Sequence, residues 1–169
     1  EVLTQNVRAI PLYERLGFRV VRRLDVVRLS RPPVAPEGTG TRAIPAREAL
    51  AFIGLHRRSE EPWQREDGSV RNWIRDGLAI EATAALRGDR VIGVALHRIA
   101  AGRASILQLV SAPGHEADAT AALLAAAFRP EAEQGLRWLN LPQDDPASAI
   151  VLALQPELEA SQHDMRLML

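Results

Sequence analysis

Tyr13 is the only tyrosine of the chain, and it stands in the pattern Asn6-x-x-Ala9-x-x-Leu12-Tyr13-x-x-x-Gly17-Phe18. A phenol has an ordinary pKa near about 10, and on the spacing alone Tyr13 fits a packing role on the apolar side of a helix, with its hydroxyl at the rim. Glu60, Glu61 and His97 are candidate general bases, although no spacing singles them out, and for each a surface or core position explains the residue as well. The histidines at 56, 97, 115 and 163 show no ligand spacing, so no metal site is expected. The chain has 0 Cys, which excludes a thiolate nucleophile, a thiolate metal site and a disulfide framework. Every one of its 21 basic residues is Arg, which excludes lysine Schiff-base chemistry. Gly38-Thr39-Gly40 is not a phosphate loop, because no strand leads into it and no helix follows at once.

The elements that must hold these residues are legible in the spacing. Ala9, Leu12, Tyr13 and Leu16 make one helical stripe, and Gly17 is placed to end that helix in the left-handed conformation, with Phe18 folding back on it. Phe18–Leu29 alternates apolar and charged residues in two short runs, a half-buried strand or hairpin. Residues 30–41 carry three Pro and two Gly and read as a linker. Beyond it the pattern predicts a strand at 41–44, a helix at 45–58 and a second helix capped by Ser69, with Trp63 and Trp73 on either side of that cap. Two strands then run from Thr83 to Ile99 around Gly88-Asp89, and another spans Arg103–Val110. The Ala-rich helix from His115 to Phe128 must pack closely. A strand at 135–141 follows, then a helix started by Asp145-Pro146, and a last strand at 165–169.

Composition bounds the partners. With 47% hydrophobic and 25% charged residues in 169, the chain can bury one good core. Formal net charge is +0, whereas a nucleic-acid binder leans on a basic excess, so no nucleic acid is expected. Arg22-Arg23 and Arg57-Arg58 are expected on solvated faces. No apolar run is long enough for a membrane span, so no membrane partner is expected, and a cytoplasmic setting fits.

The segment Asn6–Phe18 resembles the closing helix of the GCN5-related N-acetyltransferases. The element order β-α-α-β-β-β-α-β-α-β after the linker is similar to a whole domain of that superfamily. The resemblance implies an α+β fold: a mixed, mostly antiparallel central sheet flanked by helices, with an N-terminal helix and strands left from a preceding domain. It divides the chain into residues 1–29, the tail of a first acetyltransferase domain; 30–40, a linker; and 41–169, a second, degenerate domain. In the family the tyrosine lies near the thioester sulfur and protonates the departing thiolate, which makes Tyr13 catalytic. The asparagine contacts the pantetheine arm of acetyl-CoA, which makes Asn6 cofactor-binding. The implied reaction is direct attack on acetyl-CoA by a small-molecule or peptide amine, through positioning and oxyanion stabilisation. The alternative is a non-catalytic module for dimerisation or small-ligand sensing.

Two departures from the family pattern bear on this chain. The first domain's diphosphate loop would lie upstream of Glu1. The second region's counterpart, Ser111–Thr120, has one glycine, Gly114, and sets Glu116 and Asp118 where the diphosphate would arrive, so repulsion opposes binding. This chain alone is therefore expected to be inactive. Glu1–Leu29, which cannot stand without a sheet, should dock on its own second domain or, in a swapped homodimer, on a neighbouring copy.

Overall fold

The computed structural model describes residues 1–130 and 132–167. A two-residue strand, β1 (Val2–Leu3), precedes α1 (Ala9–Arg15) and a long strand, β2 (Phe18–Leu29). After the Pro-rich stretch come β3 (Thr39–Ala43), α2 (Ala46–His56), a 3-10 turn at Trp63–Arg65 and α3 (Asp67–Arg75). The chain continues with β4 (Glu81–Arg87), β5 (Arg90–Ala100), β6 (Arg103–Ser111) and α4 (Glu116–Ala127). It closes with β7 (Leu136–Pro142), α5 (Pro146–Ala153) and β8 (Glu157–Leu167).

The strands form an 8-stranded sheet in the order β1-β8-β2-β7-β6-β5-β4-β3. Among the described residues β6 with β7 is parallel and the other pairings are antiparallel. The fold class is the expected one. β2 lies inside the sheet, paired with β7 on one side and β8 on the other, so the segment before the linker docks on the sheet that the later residues build.

β2 corrects the expectation of two short runs or a hairpin. It is one strand of 12 residues, with shifts of register at Val20/Arg22 and Val26/Val27 against β8 and at Asp25/Val27 against β7. A bulge reverses which face the next side chain takes, so one strand reads like two. The last strand starts at Glu157 rather than at 165, because pairing with β2 draws its polar half into the ladder. The final two residues of the expected strand, 168–169, lie outside the described residues. α3 begins at Asp67, and the Ser69 hydroxyl donates to the Trp63 carbonyl (2.9 Å) instead of capping the helix.

Two apolar layers sandwich the sheet. α4 and α5 cover one face over Ile106, Leu136, Trp138 and Leu141, while α2 covers the other over Val94, Leu96 and Leu107. α4 comes close because β5 offers Gly93, where a Cβ would lie 2.6 Å from that of Ala119. That contact explains the run of Ala: small side chains let a helix backbone approach a sheet.

Candidate functional site

α1 carries the motif, and its geometry follows from local chemistry. The Asn6 side chain accepts a hydrogen bond from the Ala9 N–H (3.1 Å) and so caps the helix start. Gly17 ends the helix at φ +92, and Phe18 meets the Tyr13 ring edge-on with centroids 5.7 Å apart. Asn6 and Tyr13 are both exposed, and α1 has no buried residue. Leu12 and Leu16, 48% and 60% exposed, face outward with Tyr13. No other candidate acid or base from the sequence adjoins Tyr13 in a hydrogen bond or ion pair among the described residues.

A second locus lies where β6 and β7 part. The two pair only from Ala104–Ile106 against Leu136–Trp138 and then diverge, which leaves carbonyls inside the protein without ladder partners. Arg65 fills the fork: its guanidinium donates to the carbonyls of Leu107 (2.9 Å) and Asn140 (2.8 Å). Asn140 itself adopts φ +56, and it is buried. Arg65 also forms an ion pair with Glu61 at 3.1 Å, both side chains being almost wholly enclosed. Burial pushes the Glu61 carboxyl up from its ordinary value, against the pull of the Arg65 charge, and pushes the Arg65 guanidinium down. Gln108 bonds the Arg65 carbonyl and Asp67, whose carboxyl is held below its ordinary value, against the upward push of burial, by hydrogen bonds from Arg57 and Gln108.

The third locus is the N-terminus of α4, where the resemblance puts the diphosphate. Here the chain supplies its own anion. The backbone N–H of Glu116, the Arg58 guanidinium (2.6 Å) and the backbone at Gly114 hold the Glu116 carboxyl below its ordinary value. Asp118 meets Arg87. Ser59 donates to Asp145 (2.8 Å), which also caps α5 through the Ala147 N–H (2.8 Å). Residues 58 and 59 thus tie the starts of α4 and α5 together. A cavity of about 20 Å³, room for roughly one water, lies among Arg58, Ser59, Ser111 and the start of α5.

The other sequence candidates are engaged elsewhere. His97 is buried in β5 with Nε2 at 3.0 Å from the Thr83 hydroxyl, and burial lowers its pKa. Glu60 pairs with Arg166 at 2.5 Å. The expectation that Arg22-Arg23 and Arg57-Arg58 are solvated holds for the exposed Arg23 and Arg58 and needs correcting for Arg22 and Arg57. Arg22, its side chain 11% exposed, binds Asp164 (2.9 Å) and the Glu60 carbonyl (2.6 Å), and Arg23 binds Asp25. Arg57 binds Asp67 and Arg58 binds Glu116, and the carboxylates that Arg22 and Arg58 meet come from distant segments. Sequence reasoning missed Arg65 altogether, since only the divergence of two strands creates its role. Its sole local signal is Glu61 four residues earlier.

The parting of β6 and β7, with a helix after each, sets the comparison with known structures. A GCN5-related N-acetyltransferase from Kribbella flavida matches with a TM-score of 0.62 and 20% identity, over 95% of this chain and 63% of its own. The chain has the acetyltransferase fold. A second GCN5-related N-acetyltransferase, from Sphaerobacter thermophilus, shares this fold at a TM-score of 0.60 and 19% identity, over 96% of this chain and 56% of its own. A protein of unknown function from Staphylococcus epidermidis gives 0.67 at 12% identity, over 96% of this chain and 68% of its own. The chain spans 63% and 56% of the first two acetyltransferase structures. No family model and no curated protein matches it. No helix among the described residues is long and apolar enough to cross a membrane.

Proposed function

We propose that this chain is the C-terminal part of a tandem GCN5-related N-acetyltransferase, in which Asn6 and Tyr13 belong to the working lobe and residues 41–169 form a partner lobe. The observation that carries this reading is the state of α1. Its apolar side, with Leu12, Tyr13 and Leu16, faces outward, while the strand directly after it is built into a sheet. An amphipathic helix with that stripe uncovered is half of an interface. The length of the acetyltransferase neighbours, of which this chain covers 63% and 56%, agrees with further polypeptide covering it.

The residues present divide on acetyl-CoA. In the later region the Glu116 carboxylate already holds the start of α4, and its charge opposes a diphosphate there. At α1, Asn6 uses its oxygen in the cap and keeps its NH₂ for a ligand, which fits a pantetheine amide. Bound acetyl-CoA would supply the acetyl thioester. The acceptor, a small-molecule or peptide amine, forms the N–C bond as the C–S bond breaks. Tyr13 gives its phenolic proton to the departing sulfur, and the surplus amine proton passes through solvent to restore the phenol. A cytoplasmic setting belongs to the same proposal.

Calorimetry with acetyl-CoA on this chain and on a version carrying the residues encoded upstream tests it. Binding by the extended form alone is expected, with Tyr13→Phe in that form lowering kcat by about 10²–10⁴ at similar KM. Tight binding by this chain alone overturns the assignment of lobes. Binding by neither supports the second reading, a non-catalytic module for dimerisation or small-ligand sensing, which the Glu116 carboxylate at the start of α4 favours.

A further inference from the structure

The face of the sheet under α3 holds a cleft of about 860 Å³ that the acetyl-transfer reading does not use. Side chains alternate along a strand, so β6 turns Ala104 and Ile106 toward α4 and Arg103, Ser105 and Leu107 toward this cleft. Likewise β5 contributes Arg98, and Trp63 and Trp73 stand along the rim and wall. Sites for small organic ligands have about this volume, an apolar lining and a few convergent polar groups.

The charges choose the ligand. Two cleft arginines are matched: Arg65 by Glu61 and Arg137 by Glu159. Arg98 and Arg103 meet no carboxylate among the described residues. Arg103 gives a hydrogen bond to the neutral Gln134 amide (2.8 Å), and its buried Nε has no partner among the described residues. In the β5–β6 ladder Arg98 lies opposite Ser105 and Ala100 opposite Arg103. The two arginines are therefore diagonal neighbours on one face, where like charges repel unless an anion lies between them. The cleft's carboxylate Asp76 sits 3.4 Å from Arg75 and does not answer them.

We propose that this cleft binds a small organic anion, a phosphate monoester or carboxylate on an aromatic or apolar body. Arg98 and Arg103 hold the anion, the Ser105 hydroxyl lies beside it, and the body lies against Trp63 and Trp73. An amine acceptor, cationic at neutral pH, meets the wrong sign of charge here. The inference goes beyond acetyl transfer and does not depend on it.

Titration of this chain with phenyl phosphate, benzoate and the neutral benzyl alcohol, followed by calorimetry and tryptophan fluorescence, tests the site. Both anions bind, benzyl alcohol binds at least about tenfold more weakly, and added salt weakens the anions. Arg98→Gln and Arg103→Gln each cost about tenfold in affinity, while Arg98→Lys and Arg103→Lys cost less, since they keep the charge and lose the fork. Absence of binding by all three probes overturns the proposal, and so does equal binding of the neutral one. Gln and Lys variants that bind alike overturn it too, with unchanged thermal midpoints showing that the variants fold. Acetyl-CoA binding is read separately, so failure here leaves the acetyltransferase reading intact.

Discussion

The guanidinium of Arg65 takes the carbonyls of Leu107 and Asn140 where β6 and β7 stop bonding to each other, and Glu61 balances its charge. Arg65→Met leaves two buried acceptors and a buried carboxylate unmatched, so it should cost about 3–5 kcal/mol in denaturant unfolding. Arg65→Met with Glu61→Gln should cost less than the sum of the single changes, since the stranded charge is gone. A loss under about 1 kcal/mol for the single variant would contradict this account of the fork. His97 supplies a pH dependence. Burial lowers its pKa, Glu81 opposing and Arg129 adding to the effect. Below the unfolded value of about 6.5 the unfolded chain takes up a proton that the folded chain refuses. Its contribution is therefore complete above about pH 6.5 and is lost as pH falls from there toward the folded pKa. His97→Gln should flatten the change in denaturation midpoint between about pH 7 and 5.

At the scale of elements, the closeness of α4 to the sheet depends on one missing side chain. Gly93→Ala would place a Cβ 2.6 Å from that of Ala119 and 3.2 Å from the Val110 carbonyl oxygen, a backbone atom that cannot swing away. Overpacking of this kind costs about 1–3 kcal/mol. The thermal midpoint should drop by about 2–4 °C per kcal/mol for a chain of this size. A neutral result would mean that α4 shifts as a rigid body at no cost. The Ala-rich sequence of α4 already demanded a close partner, and α5 was marked by Asp145-Pro146. The bulges in β2 were not legible, because they arise from two neighbouring strands that hold one segment in different registers. For the same reason the polar half of β8 did not read as strand.

In the whole molecule, residues 1–29 are divided between inside and outside. β2 buries Leu24, Val26, Val27 and Leu29, whereas α1 buries nothing. Deleting residues 1–30 should therefore separate β7 from β8 and leave no cooperative unfolding transition by circular dichroism. Leu12→Ser in this chain should change stability by no more than about 0.5 kcal/mol. A stable, cooperative deletion product would show that β7 and β8 can close on each other. What the sequence determined by itself was local: helix and strand periods, the caps at Gly17 and Asp145, and the Asn6–Phe18 motif. Such signals rest on neighbours within a few turns of chain. Tertiary structure decided what depends on distant segments meeting: β2 between β7 and β8, Arg65 in the fork, Glu116 held by Arg58, and two arginines side by side in a cleft with no carboxylate partner among the described residues. Those outcomes follow from hydrogen-bond and charge balance in three dimensions, to which residues far apart in sequence contribute equally.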